Sequence, residues 1–191
     1  MSELVYLIHG FNVKDGGAGT TDSIRPYLEE KGLVVKEVDY GFFHRIRVRL
    51  CNDGLAKVIA ELVKPDSTCI AHSNGGNLAW KACEYGAPFK NVILVNPALD
   101  ADKVIAKQVE NVQVWYSPND FWTGIAKYIP LSDWGEQGRT GYTGPLDSRY
   151  TQFNEDLLLG RSILDEHSGV WHSHANRKFF ASKVIDLIRG T

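Results

Sequence analysis

The sequence predicts an α/β fold, a doubly wound and mostly parallel sheet of about six strands with helices on both faces. Short apolar runs alternate with helical patterns along most of the chain, which is the order of elements in such sheets. The apolar runs are continuous, as in strands buried on both faces. The 191 residues, 43% of them hydrophobic, suit one compact domain with a real core.

The predicted elements follow one another in a regular order. Five apolar runs are predicted to be strands: LVYLI (4–8), LVVKEVDY (33–40), TCIAH (68–72), NVILVNPAL (91–99) and VQVWYS (112–117). Helices are predicted at 24–32, from Asn52 or Asp53 to just before Pro65, at 76–85, at 102–108 and at 176–188. The second helix has an apolar face formed by Leu55, Val58, Ile59, Leu62 and Val63.

One segment departs from this pattern. We predict a single domain over residues 1–191 with a glycine- and aromatic-rich insertion at about 121–164 that shows little periodicity. An irregular segment of this length in a compact domain is usually functional or mobile. Its aromatic residues are candidates for the wall of an apolar pocket, or they bury the insertion against the domain: Phe121, Trp122, Tyr128, Trp134, Tyr142 and Tyr150.

Charge and composition argue against several classes of partner. A net charge of −2 is not the basic footprint of a nucleic-acid-binding protein, and the cluster FFHRIRVRL (42–50) is predicted to be a solvated side of an extended or helical segment. No apolar run approaches the ~20 residues that span a bilayer, so no stable membrane anchor is expected. The three cysteines show no pairing pattern, and the N-terminus shows no export signal, so we expect a cytoplasmic protein.

No cofactor is expected from the motifs. The stretch GAGTTD (17–22) begins like a dinucleotide-binding fingerprint but lacks its third glycine, and no GK[ST] motif is present. It is predicted to be a flexible loop before the first helix. No cluster of histidine, cysteine and carboxylate residues has metal-ligand spacing, so no metal is expected.

The stretch AHSNG (71–75) contains the candidate nucleophile. It nearly matches G-x-S-x-G, with Ala71 in the first glycine position, and it lies between an apolar strand and a helical pattern. That motif places its serine on a sharp strand-to-helix turn, where small residues on either side let the strand and the helix approach closely. We therefore predict that Ser73 is a nucleophile rather than an ordinary turn residue.

A nucleophilic serine needs hydrogen-bond donors for the oxyanion that forms on its substrate. One donor is expected to be the backbone N–H of Asn74, directly after the serine. The other is expected from the loop HGF after the first strand, where Gly10 would let the N–H of Phe11 turn toward the substrate. His9 is predicted to tie this loop down rather than to transfer a proton.

The serine also needs an acid and a base, in the chain order Ser, Asp, His. Asp120 follows the strand VQVWYS and is the predicted acid, with Asp100 and Asp102 as alternatives. The base should lie just before the last helix, and spacing leaves three candidates open there: His167, His172 and His174. His72 projects differently from the elbow, and His44 comes too early in the chain.

The motifs YLIHGF, CIAHSNGGNLAW, YSPNDFW and EHSGVW, in this order, resemble the α/β-hydrolase superfamily, in particular its small, minimally capped serine esterases. The resemblance covers most of the chain and implies an α/β-hydrolase fold. In many relatives the catalytic histidine opens an H-S-x-x-aromatic segment, which carries the role to His167, with Ser168 and Trp171 in the same segment. Ala71 and the insertion depart from the pattern.

The residues and the resemblance together predict hydrolysis of a small-molecule carboxylic ester by Ser73, His167 and Asp120. Phe121, Trp122, Trp134 and Tyr142 are the candidate pocket residues. The same three catalytic residues could act on an amide, a thioester or a cell-envelope linkage instead, because the fold hosts many reactions. A binding module that keeps the fold without turnover is the remaining alternative.

Overall fold

The protein's structure is a computed structural model that describes residues 3–11, 15, 17–38, 40, 45–126, 128, 133–159 and 167–190, with only the backbone at 45–50. His44 lies outside the described residues, as do the side chains of the basic cluster at 42–50. The expectations for these residues stay predictions.

Six strands form one parallel sheet in the described part of the chain. They are β1 (Leu4–Ile8), β2 (Val34–Glu37), β3 (Ser67–His72), β4 (Phe89–Val95), β5 (Asn111–Tyr116) and β6 (Tyr150–Asn154). Their order across the sheet is β2-β1-β3-β4-β5-β6, and every neighbouring pair is parallel. The winding direction therefore reverses between β1 and β3, which confirms the doubly wound fold class.

The helices connect these strands and cover both faces. The described α-helices are α1 (Arg25–Glu29), α2 (Arg45–Leu62), α3 (Asn74–Glu84), α4 (Phe121–Ala126), α5 (Gln137–Thr140), α6 (Glu155–Leu159) and α7 (His174–Arg189), with short 3₁₀ helices at Thr21–Ile24 and Gly169–Trp171. Of these helices, none has the length and hydrophobicity that a bilayer-spanning segment needs.

Alternate residues of the strands pack into two separate cores. In β1, Val5 and Leu7 join the core that includes α1 and α7, whereas Tyr6 and Ile8 join the core under α2 and α3. All six residues of β3 are buried. Because both faces of the central strands are covered, these strands are apolar at successive positions rather than at alternate ones.

Two predicted helices differ from the structure. Helix α2 begins at Arg45, so Asn52 is not its N-cap but a buried residue inside it. Residues 102–108 are not helical. The Arg149 guanidinium binds the main-chain carbonyls of Ile105, Ala106 and Val109, so tertiary hydrogen bonds occupy groups that a helix would pair internally.

The segment at 121–164 contributes to the sheet. Its residues Tyr150–Asn154 form β6, which pairs with β5, and short helices α4, α5 and α6 lie on either side of it in the chain. The polar sequence YTQFN shows why no strand was predicted here. At the edge of the sheet β6 is only partly buried, so it lacks a continuous apolar run.

Because all six strands are parallel, their carboxyl ends meet at one edge of the sheet. The residues that follow these ends include the 9–11 loop after β1, Ser73 after β3, Asn96 after β4, Asp120 after β5 and Glu155 after β6. This edge is where the fold brings the candidate site residues together.

Candidate active site

Ser73 lies in a strained turn between β3 and α3. Its backbone has φ 55° and ψ −122°, a conformation that costs an L-residue on the order of 1–3 kcal/mol and persists only where the surroundings impose it. Here the Ser73 N–H donates to Val95 O (3.1 Å), and its carbonyl accepts from the N–H of Ala98 (2.9 Å). These bonds hold the serine at the strand-to-helix bend that the motif predicted.

Glycine at position 75 permits the close approach of helix and strand. A Cβ on Gly75 would lie 2.6 Å from the main-chain oxygen of His9, a contact that real Cβ atoms essentially never make. Gly76 is similarly close to Pro97, with 2.6 Å between its would-be Cβ and the proline Cβ. The small residues of the motif therefore have the steric role expected from the sequence, and Ala71 is buried without conflict.

The structure brings His167 and Asp120 together. His167 Nδ1 lies 2.8 Å from Asp120 Oδ2, and because a carboxylate can only accept, Nδ1 carries the hydrogen. Asp120 is fully buried, and its other oxygen accepts the backbone N–H of Thr123 (3.0 Å). The imidazole is thus held by a carboxylate that is itself fixed at the start of α4.

The environment of Asp120 keeps it ionised. Burial acts to raise the pKa of its carboxyl, but the hydrogen bond and the charge of His167, together with hydrogen bonding to Thr123, outweigh burial and lower the pKa below its ordinary value. Asp120 is a carboxylate, so the ring hydrogen of His167 is on Nδ1. The lone pair of the imidazole is then on Nε2, the atom that a general base uses.

The other candidate acids and bases lie elsewhere. His174 is in the first turn of α7 and shares a 2.7 Å hydrogen bond with the Tyr27 hydroxyl, and His172 is exposed. Asp100 and Asp102 are exposed residues of the segment after β4. Among the described residues, Asp120 and His167 are the pair from the predicted set that the structure places in contact.

A contact between His72 and His167 joins the segment of the candidate base to the turn of the candidate nucleophile. The two imidazole rings have their centroids 4.9 Å apart, and His72 Nε2 lies 2.9 Å from the main-chain oxygen of His167. His72 directly precedes Ser73, so the segment that carries His167 packs on the turn that carries the serine.

The two predicted oxyanion donors belong to residues near Ser73, because Asn74 directly follows the serine and Phe11 follows Gly10, which packs on it. A Cβ on Gly10 would lie 3.0 Å from Ser73 Cβ, so the loop that carries Phe11 packs directly on the serine. The backbone N–H groups of Phe11 and Asn74 form no hydrogen bond within the described part of the chain.

The loop before Phe11 is tied down as predicted for His9. His9 Nδ1 donates to Gly10 O (2.8 Å), and its ring stacks on Tyr40 with centroids 4.2 Å apart. The Tyr40 hydroxyl lies within hydrogen-bond distance of both His9 O and Gly10 O, at 2.6 and 2.8 Å. These contacts restrict the backbone that orients the Phe11 N–H.

Trp134 contacts both residues that are predicted to be oxyanion donors. Its indole N–H donates to Asn74 Oδ1 (2.7 Å), and its ring meets the Phe11 ring edge to face with centroids 5.3 Å apart. The same Asn74 oxygen accepts from Asn52 Nδ2 (3.1 Å), the buried residue of α2. Trp134, predicted as a pocket residue, therefore lies beside the nucleophile turn.

The remaining aromatic candidates divide into two groups. Phe121 and Trp122, directly after Asp120, are 64% and 56% exposed and pack on each other. Tyr142 is instead buried, where it stacks on Tyr150 and donates from its hydroxyl to Pro145 O (2.9 Å). These contacts agree with the alternative that Tyr142 buries the insertion against the domain, and its role in a pocket stays a prediction.

Glu155 is a buried carboxyl at the same edge that the motifs did not single out. Burial, and then the negative charges of Asp120 and Asp156, raise its pKa well above the ordinary 4.5, while the N–H of Val170 acts in the opposite direction. A carboxyl in this environment is neutral at pH values where an exposed glutamate is ionised. Its position directly after β6 was hidden by the irregular appearance of the insertion.

We expect Glu155→Gln to change how stability depends on pH. Between pH 4.5 and the raised pKa, the folded protein holds a proton on Glu155 that the unfolded chain has lost, so this group makes the free energy of unfolding fall as pH rises, by at most about 1.4 kcal/mol per pH unit. Glutamine cannot titrate, so the variant should lose this slope. Urea unfolding from about pH 5 to 8 measures it.

The matched control is Glu61→Gln, at an exposed carboxyl on α2, which should keep the wild-type slope. If the free energy of unfolding depends on pH in the same way in the wild type and in Glu155→Gln, the carboxyl at position 155 is not buried and neutral.

No group of three or more histidine, cysteine, aspartate or glutamate side chains in the described ranges is arranged to hold a metal ion.

Solved structures with this architecture are known. A pyrethroid hydrolase from Sphingobium faniae JZ-2 is 13% identical and matches 99% of this chain and 98% of its own, with a TM-score of 0.57. The esterase domain of a Rhodothermus marinus protein is 13% identical over 98% of this chain and 86% of its own, with a TM-score of 0.59. An extracellular α/β-hydrolase from a Paenibacillus species is 12% identical over 96% and 98%, with a TM-score of 0.58.

No protein-family model and no curated protein matches the sequence. At such low identities the structural similarity concerns the fold: this chain has the α/β-hydrolase fold, as its motifs predicted.

Proposed function

We propose that the protein is a serine hydrolase that cleaves small-molecule carboxylic esters through an acyl-enzyme intermediate. The observation that carries the proposal is the 2.8 Å hydrogen bond between His167 and the buried Asp120. His167 also contacts His72, which directly precedes a serine held at positive φ. The names of two structures with the same fold, a pyrethroid hydrolase and an esterase domain, favour the same class of reaction.

In the first half of the reaction, Ser73 Oγ attacks the ester carbonyl carbon and its proton passes to His167 Nε2. Asp120 accepts the Nδ1–H of the ring and stabilises the positive charge that the ring acquires. The carbonyl oxygen becomes an oxyanion, which accepts from the N–H groups of Phe11 and Asn74. Each such donor is worth about a hundred- to a thousandfold in rate.

The intermediate then collapses, and the C–O bond to the alcohol breaks. The departing alkoxide takes the proton from His167 Nε2, which leaves the acyl group on Ser73. A water molecule attacks the acyl carbon as His167 removes its proton, and the return of that proton to Ser73 Oγ releases the carboxylic acid. The enzyme ends in its starting protonation state.

The proposal is tested by covalent labelling and by turnover. A fluorophosphonate probe should label the wild type and not Ser73→Ala, and p-nitrophenyl esters of increasing acyl length should be hydrolysed by the wild type and not by Ser73→Ala. Ser182→Ala, an exposed serine on α7, is the matched control and should be labelled like the wild type. Circular dichroism confirms that each variant is folded.

The outcomes separate the alternatives. Folded wild type that takes no label would overturn the proposal and favour a binding module. Serine-dependent labelling without hydrolysis of any ester, but with cleavage of thioester or amide substrates, would keep the nucleophile and overturn the ester assignment.

A further inference from the structure

The main-chain carbonyl of His167 is bound from two sides by residues at the ends of the two central strands. His72 ends β3 and Asn96 follows β4, and both side chains lie within hydrogen-bond distance of His167 O. Neither residue is needed as a nucleophile, acid, base or oxyanion donor. The carbonyl belongs to the residue that carries the candidate base, so its position bears directly on the site.

His72 can donate a hydrogen bond to this carbonyl at pH values near neutrality. Burial and the neighbouring His167 lower the pKa of His72 to about 3, so its ring is neutral and carries a single N–H. The carbonyl only accepts, so that hydrogen is on Nε2, 2.9 Å from His167 O. The ring is also held edge to face against Trp171, with centroids 5.7 Å apart.

Asn96 is the second donor, and its backbone is adapted to the position. It is fully buried with φ 43°, a left-handed conformation that asparagine tolerates better than most residues. One atom of its amide lies 3.2 Å from His167 O and 3.0 Å from Glu155 Oε1. Because the carbonyl cannot donate, this atom is the nitrogen, and its two hydrogens reach the two oxygens.

We propose that His72 and Asn96 are positioning residues, which hold the backbone of His167 so that its imidazole reaches both Asp120 and Ser73, with Glu155 orienting the Asn96 amide. The inference rests on the proposed function. It assigns a catalytic consequence to two side chains that touch neither the substrate nor the reacting atoms.

The geometry explains why one hydrogen bond to Asp120 would not suffice. That bond fixes the ring at Nδ1 but by itself does not fix the main chain of His167. Two donors on the rigid central strands do so. A displacement of about 1 Å in a catalytic group can cost about a hundredfold in rate.

The test compares His72→Leu and His72→Gln in ester hydrolysis and in NMR. Leucine removes the donor, whereas the glutamine amide nitrogen can take the place of Nε2. We expect His72→Leu to lower kcat by up to about a hundredfold with little change in KM, and His72→Gln to recover most of that loss. Asn96→Gly, which suits the positive φ, should act like His72→Leu.

A matched control separates positioning from stability. Asn91→Ala also removes a buried amide from β4, but at the opposite end of the strand, where it bonds Thr68 and Asn111. It should lower the melting temperature and leave kcat unchanged. If His72→Leu is no slower than Asn91→Ala, or if His72→Gln is as slow as His72→Leu, the proposal is wrong.

The NMR measurement does not depend on activity. In protein labelled with ¹⁵N-histidine, the Nδ1–H of His167, assigned by its loss in His167→Ala, should be a protected, downfield signal, because it is bonded to a buried carboxylate. His72→Leu should broaden or shift it, and Asn91→Ala should not. If the wild type hydrolyses nothing, the proposed function fails, yet this signal still supports or overturns the positioning role.

Discussion

Replacing His167 with alanine is expected to lower kcat for ester hydrolysis by at least about ten-thousandfold while the protein stays folded. In the proposed mechanism, this imidazole takes the proton of Ser73. His72 cannot substitute, because burial lowers its pKa to about 3 and its N–H is directed at the backbone of residue 167. The measurement is steady-state hydrolysis of a p-nitrophenyl ester, with fluorophosphonate labelling as a second readout.

His172→Ala and His174→Ala are the controls for this prediction. His172 is exposed, and His174 is bonded to Tyr27 on the outside of the domain, so both variants should keep turnover near the wild-type level. Loss of turnover in His172→Ala alone would show that the base has been assigned to the wrong histidine.

The fold could be predicted because burial on both faces leaves a clear mark on the sequence. The runs at 4–8 and 68–72 are apolar at successive positions, and the structure buries them between two helical layers. β6 leaves no such mark, since an edge strand is covered less completely and can be polar. Tertiary contacts also override local pattern, as at 102–108, where Arg149 takes the carbonyl groups of a predicted helix.

Part of the site is local in sequence and part is not. The turn at Ser73 could be predicted because sterics demand small neighbours, and Gly75 shows how tight that demand is. Asp120 and His167 could be proposed because the fold requires them in a certain chain order. Spacing left three histidines open, and the resemblance to serine esterases favoured the one that the structure pairs with Asp120.

The supporting residues could not be predicted, because they act through the backbone of a distant segment. His72 and Asn96 have no sequence spacing that relates them to His167, since only the parallel sheet brings their strand ends together. Trp134 was noted as an aromatic residue of the insertion, but its hydrogen bond to Asn74 depends on how that insertion folds back over α3. Each of these residues follows from topology rather than from motif.

Asp120→Asn is expected to reduce kcat by on the order of ten-thousandfold with little loss of structure, and the hydrogen bonds of Asp120 explain why. One side-chain oxygen accepts the backbone N–H of Thr123, so an asparagine must keep its carbonyl oxygen there and turn its NH₂ toward His167. The Nδ1 atom of His167 would then have to accept, which moves the ring hydrogen to Nε2. An imidazole in that tautomer cannot take a proton from Ser73.

The comparison that isolates this tautomer effect is Asp156→Asn, which removes a second carboxylate at the same edge of the sheet. Asp156 accepts from Ser117 and Asn119 and has no contact with His167 among the described atoms, so its loss should slow turnover far less.

The pH dependence of stability adds an independent readout. Asp120 has a lowered pKa, so it stabilises the folded state above the ordinary 3.8, and that contribution is lost as pH falls through the folded-state value. Asp120→Asn should therefore make the free energy of unfolding less dependent on pH in the acid range, as well as lower kcat. An acid-range dependence unchanged from the wild type would mean that the carboxylate and the imidazole are not paired in solution.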